Sequence, residues 1–557
     1  MGPGRDPCRP GASFGDRVRD GNAVSSLART IIWGHIMTTP VPPDVDITRT
    51  PREPVEDPTL GIAVTSDARG APTHRLVTIG DSLFHGFQSG AVYQTDLSVP
   101  AIVAHELGSG NAFRHPVYGG PGGLPLNLEV LLRHLHQQFG PVVDWWEIPL
   151  ALFSGRQWMD RLEEYWETGG GAAVPAVTAI NHNLAVYGWD LRDAYSQTAQ
   201  ACLNRLRVPK DDLINQIVEN NGERAALRVY PTEPAGARTK TVFELARDLG
   251  ADTPDGTDSG VETLVVFLGA NNALGAVTRL KVVWSDSGFD DPARKGRYTV
   301  WRPSHFAAEL ALVADAVRGI NARHVIWCTV PHVTIAPIAR GIGPKIQPGS
   351  RYFPYYTRPW VRDGQFDPAR HQHITGAEAR AVDSAIDQYN DAITDTVRAA
   401  RTAGRDWYVL DVAGLLDRLA ARRYIDDPAA RPAWWTAYPL PAELAALNPP
   451  PSSHFLATNN TGRRTNGGLF SLDGVHPTTI GYGILAQELI NVMRVAGVDF
   501  RHPDGVTLRA DPVCVDFERL IRRDTLVHRP PENLDSSLAT LAWADEALGL
   551  LGRALPF

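Results

Sequence analysis

The chain has 557 residues, 43% of them hydrophobic and 21% charged, with a formal net charge of −8. This describes a globular protein able to bury a large core. The acidic balance excludes a nucleic-acid footprint, and no apolar run reaches the roughly 18 residues of a transmembrane helix. Cys8, Cys202, Cys328 and Cys514 are too sparse for a disulfide framework and show no metal-binding spacing.

Residues 1–60 are rich in Pro, Gly, Arg and Asp without a period, which predicts a disordered tail. The apolar run around Ile31 and Ile32 is too short for a secretory leader, so a cytoplasmic location is expected, and Met37 is a candidate natural start. Gly11-Ala12-Ser13-Phe14-Gly15 has the spacing of a nucleophile elbow but lacks the preceding strand and following helix.

Leu76, Val77, Thr78 and Ile79 predict a buried strand stopped by Gly80. Asp81 and Ser82 then fall at the strand's carboxyl end, where open α/β sheets place ligands. Ser82 reads either as a helix N-cap or as a nucleophile. A helix follows over residues 99–107. The Gly119–Gly123 loop precedes a helical pattern at Leu126, Glu129, Leu132 and Leu135 and reads as a tight connection, because a Gly-Lys-Ser/Thr phosphate cradle is absent. Aromatic clusters at 145–166, 352–360 and 434–438 are candidates for core packing or for lining a substrate cleft.

Residues 177–186 predict a second strand ending at Tyr187-Gly188, with a helix opening near Asp190. The polar stretch 204–260 reads as an insertion. Residues 263–268, 324–330 and 407–410 predict three further strands, and residues 306–320, 376–400 and 479–495 long helices. Pro477 suits the first turn of the last helix. Alternating strands and helices predict an α/β fold with a doubly wound parallel sheet. Residues 501–557 read as a C-terminal helical extension whose Leu534, Leu538, Leu541 and Leu548 pack on the main domain.

A serine nucleophile needs a base, an orienting carboxylate and oxyanion donors. His476 follows an apolar segment, and Asp473 stands three residues before it, so one tight turn can carry both. Candidate donors are the Ser82 N–H at a helix start, the Gly188 N–H and the Asn271 amide, with Gly123 as a runner-up to Gly188. His134/His136 and His371/His373 are paired without a clustered third ligand, and read as surface residues rather than a metal site.

Four blocks now stand in order: Gly80-Asp81-Ser82-Leu83, Asn183-Leu184-Ala185-Val186-Tyr187-Gly188, Gly269-Ala270-Asn271-Asn272 and Asp473-Gly474-Val475-His476-Pro477. In this the chain resembles the GDSL/SGNH hydrolase family over residues 72–497. The resemblance implies a flavodoxin-like three-layer sandwich with a five-stranded parallel sheet, enlarged by long insertions. Residues 61–500 would then form a metal-independent serine esterase or lipase domain without cofactor. It further implies Ser82 as nucleophile, Asp473 and His476 as its partners, and Ser82, Gly188 and Asn271 as oxyanion donors. Asn272 departs from the family pattern, which carries aspartate there. The expected partner is a small-molecule ester or lipid. An acyltransferase using the same acyl-enzyme, and a non-catalytic binding module on the same fold, are the alternatives.

Overall fold

Four continuous apolar segments become the four parallel strands of the central sheet: β1 (His74–Gly80), β2 (Val261–Phe267), β3 (Ala322–Cys328) and β4 (Trp407–Leu410), hydrogen-bonded in that order. The computed structural model describes residues 40–48, 50–65, 72–140, 142, 146–207, 218–253 and 260–534. Ile79 stands opposite Val266, and Val265 opposite Ile326. Side chains alternate between two faces, and both are covered, which is why the strands read as unbroken apolar runs. Val77, Ile79, Leu264, Val266 and Trp327 join a core with three helices, Val242–Ala251, Pro303–Arg318 and Gly376–Thr402. Leu76, Val265, Phe267 and Ile326 join a second core with Val99–Glu106 and Thr479–Val495.

The expected second strand over 177–186 is not formed as a strand. Its first half turns away: the amides of Thr232 and Glu233 both donate to the Val177 carbonyl. Asn183 then binds locally, its Oδ1 accepting from the Ala185 N–H at 3.2 Å, a side-chain bond that competes with a ladder. Only residues 182–186 run beside β1. The Thr78 N–H donates to His182 O, the Leu184 N–H to Thr78 O, and the Val186 N–H to Gly80 O, at 2.8, 2.8 and 3.0 Å. A single parallel bridge, Thr78 to Asn183, results. This segment lies on the side of β1 away from β2. The chain therefore leaves β1 in one direction and returns past it to β2 in the other. In open α/β sheets such a reversal leaves a crevice at the carboxyl ends of the strands, and Ser82 stands there.

Other expectations change in detail. Residues 40–48 and 50–60, read as tail, are tied down: Val45 is buried, Arg52 pairs with Asp411 at 3.0 Å, and the Val55 N–H donates to the same carboxylate. A chain without its own period is ordered here by hydrogen bonds to distant residues. The supposed insertion 204–260 contains a core helix, Val242–Ala251, whose Val242, Phe243, Leu245, Ala246 and Leu249 are buried against the sheet. Pro477 lies before the Thr479–Val495 helix, whose N-cap is Thr478. Among the extension's residues, Phe517, Leu520 and Leu534 are buried; Leu538, Leu541 and Leu548 lie outside the described residues, as do Met37 and the Gly11–Gly15 motif. Trp158, Trp166, Tyr352 and Trp435 are core residues, whereas Trp146 and Phe153 are exposed; Trp145 is outside the described residues. Among the described residues no helix is long and apolar enough to cross a membrane.

Candidate active site

β1 ends at Gly80 and the chain enters a short helix, α1 (Ser82–His85). The N-cap of α1 is Asp81, not Ser82: its extended backbone and its Oδ1, accepting from the Leu83 N–H at 3.1 Å, supply the cap. Ser82 is thus freed from capping and becomes the first helical residue. Its N–H has no intrahelical acceptor there, and none among the described residues.

The Asp473–His476 turn arrives from 394 residues away. His476 Nε2 lies 2.8 Å from Ser82 Oγ, and His476 Nδ1 lies 3.0 Å from Asp473 Oδ2. All three residues are at most 1% exposed. Asp473 Oδ1 also accepts the Val475 and His476 N–H groups, each at 2.8 Å, and Oδ2 accepts the Gly90 N–H at 3.0 Å. Burial pushes this carboxyl's pKa up, but the His476 imidazole and these hydrogen bonds outweigh it and hold it below the usual value. An ionised carboxylate only accepts, so His476 must carry its proton on Nδ1. In the neutral ring, Nε2 is then the acceptor for the Ser82 hydroxyl.

Gly90 is a support that the sequence reading missed. It closes a hairpin between Phe87–Gln88 and Ala91–Val92, whose two turn residues, Ser89 and Gly90, both have positive φ, 50° and 84°. That is the type I′ geometry of two-residue hairpins, and a Ser-Gly dipeptide is its sequence signal. A Cβ on Gly90 would meet Leu126 O at 2.5 Å, so the amide that reaches Asp473 belongs to a position only glycine fits. The Ser89 N–H donates to Ser471 Oγ at 2.9 Å, and the Phe87 ring lies 4.5 Å from the His476 ring. The runner-up Gly123 serves this same small sheet: a Cβ there would strike Val92 O at 2.1 Å.

Gly188 and Asn271 meet at Trp189. The Asn271 amide donates one N–H to Trp189 O at 2.7 Å, leaving a second N–H on the same nitrogen. The Gly188 N–H has no acceptor among the described residues. Their turn is held beside Ser82 by the Val186 N–H to Gly80 O bond and by His85, whose Nδ1 accepts the Tyr187 N–H at 3.0 Å. Burial drives the His85 pKa down to about 3, so it is a neutral ring whose Nε2–H faces Tyr118 Oη at 2.7 Å. Asn272 is fully buried, its Oδ1 taking the Leu191 N–H at 3.3 Å. An aspartate there would bring a buried charge with no cation on it.

Asp81 itself has one satisfied oxygen and one, Oδ2, buried without a partner. Burial raises its pKa from 3.8 to about 7. In the unfolded chain it ionises near 3.8, so between those values the native state binds the extra proton and stability falls as pH rises. Asp81→Asn keeps the cap oxygen and removes the titration. Its melting temperature is expected to match the parent's near pH 4, then to exceed it progressively up to pH 7 and by a constant margin above. A margin independent of pH in the same melts would refute the assignment.

An apolar groove is lined by chain neighbours of the site residues, though by none of the site residues themselves. Leu83, Ala270, Val475 and Pro477 line it, the chain neighbours of Ser82, Asn271 and His476, and it continues over Phe470 and Ile484. The histidine pairs lie elsewhere: His134 Nε2 is 3.1 Å from Ser154 Oγ, and His373 Nδ1 donates to His371 O at 2.8 Å. Among the described residues no group of three or more His, Cys, Asp or Glu is placed to hold a metal ion. Compared with protein-family models, with curated proteins and with solved structures, the chain matches none.

Proposed function

We propose that this chain is a serine hydrolase of the SGNH kind, cleaving carboxylic esters through an acyl-serine intermediate. The observation that carries this reading is the buried hydrogen-bonded series from Ser82 Oγ through His476 to Asp473. Ser82 attacks the ester carbonyl while His476 Nε2 takes its proton. His476 then returns that proton to the departing alcohol and activates the water that releases the acid. Asp473 holds the tautomer and balances the imidazolium. The Ser82 and Gly188 amides and the free N–H of Asn271 receive the developing oxyanion. The apolar groove lined by Leu83, Val475 and Pro477, next to Ser82 and His476 in the chain, favours an ester or lipid whose acyl part is hydrocarbon. A flavodoxin-like three-layer arrangement belongs to the same reading, with residues 182–186 in the place of a fifth strand. Support for it comes from the two separate cores on the faces of the sheet.

A fluorophosphonate probe tests the chemistry without knowledge of the substrate. Covalent labelling is expected at Ser82, located by peptide mass spectrometry, and strongly slowed in His476→Ala. Absence of labelling in the folded parent protein would overturn the reading.

A further inference from the structure

A second cavity, about 330 Å³, lies behind the Asp473–His476 turn. Its wall includes Pro337, Ala339 and Phe455. Ile338 donates its N–H to Gly474 O at 2.9 Å, and a Cβ on Gly474 would come within 2.9 Å of the Phe455 ring, so one layer of residues separates cavity from turn. Arg340, Arg351, Arg422, Arg423 and His454 also line it, with no Asp or Glu. Two of these guanidiniums, and His454, have carboxylate partners. Arg340 pairs with Asp363, Arg423 with Asp383 at 2.6 Å and Asp417 at 3.3 Å, and His454 with Asp426 at 3.1 Å.

Arg351 and Arg422 are not matched. Among the described residues neither has a carboxylate within ion-pair distance. Arg422 Nη2 donates to Gly341 O at 2.7 Å and its guanidinium stacks 4.9 Å over Phe353. Arg351 is only 7% exposed, stacks on Tyr352 at 5.3 Å, and has Nη1 buried with no hydrogen-bond partner. A buried guanidinium N–H without an acceptor is disfavoured, and the planar fork matches carboxylate and phosphate geometry. Arg422 and Arg423 sit on a π-helical turn, Ala421–Ile425, an irregularity often found at functional sites. Phe353, Tyr356 and Phe455 give the same cavity aromatic walls.

We infer that this cavity is an anion subsite, in which Arg351 and Arg422 receive the carboxylate or phosphate of a small organic molecule. The anion can be carried by the ester substrate, which rests on the hydrolase reading, or by a separate effector, which does not.

Calorimetric titration of the full chain with inorganic phosphate and with succinate tests the site directly. Saturable binding of at least one anion is expected, equal in the parent and in Ser82→Ala, and weakened about tenfold or more in Arg351→Met and in Arg422→Met. No saturable binding of either anion, or affinity unchanged in both folded variants, would overturn the proposal. Kinetics separate the two sources. A substrate-borne anion predicts that, among mono(4-nitrophenyl) esters of dicarboxylic acids of increasing length, one long enough to pass the intervening layer is favoured in kcat/KM over the neutral ester of equal length by about tenfold, and that this ratio collapses in Arg351→Met. An effector predicts no such preference and a change in butyrate turnover on adding phosphate. Anion binding in a folded protein that a fluorophosphonate does not label at Ser82 would sink the hydrolase reading and leave the subsite standing.

Discussion

Ser82→Ala is expected to lower kcat for 4-nitrophenyl butyrate by on the order of 10⁶, to the background left by the remaining groups. The size follows from the way the three side chains act as one unit. Without Oγ, His476 has no proton to accept at 2.8 Å, and the orientation supplied by Asp473 has nothing to serve. Oxyanion donors still stand along the rim, so a small residual rate above water is expected. Because Ser82 is the first residue of α1 and not its cap, the alanine variant should fold and melt like the parent. A variant that hydrolyses at the parental rate would remove the serine from the chemistry.

Asp473→Asn is expected to lower kcat by about 10⁴, and here the reason is proton geometry. The carboxylate accepts four N–H groups, from Gly90, Val475, His476 main chain and His476 Nδ1. An amide of the same shape turns one of its two acceptor ends into a donor. Placed toward Nδ1, the NH₂ forces the imidazole proton onto Nε2, where it can no longer take the serine proton. Placed the other way, it opposes the Val475 and His476 amides. Stability carries a signature as well. The folded pKa of Asp473 lies below its ordinary 3.8, so its contribution is fully present above that value and is lost as pH falls through the folded pKa. The asparagine variant should therefore lose less stability than the parent on acidification below about pH 4. Parallel melting curves for the two proteins down to pH 2, together with parental kcat, would refute the role given to Asp473.

Legibility differed with the range of the interactions. The run from Leu76 to Gly80 read as a buried strand because both faces of β1 are covered, and the last helix was visible from its apolar spacing. The Asp473–His476 pair could be read because three residues close one turn. Residues 177–186 misled for the opposite reason. Their apolar members suggest a strand, but Asn183 and the contact with Thr232 redirect half of the segment. The polar look of 204–260 hid a buried helix, since Val242, Phe243, Leu245, Ala246 and Leu249 occupy one short window inside it.

Local sequence by itself determined the strand-to-helix turn that presents Ser82, the turn that holds Asp473 against His476, and the Gly188 and Asn271 positions after apolar segments. These depend on backbone preferences and on partners a few residues apart. Only the tertiary structure decided that Ser82 and His476, 394 residues apart, share a hydrogen bond, that the Gly90 amide completes the carboxylate's shell, and that Arg351 stands buried with no described carboxylate within ion-pair distance. Contacts of this kind are made by packing the sheet, its edge segment and the long connections together, and side-chain spacing along the chain carries no record of them.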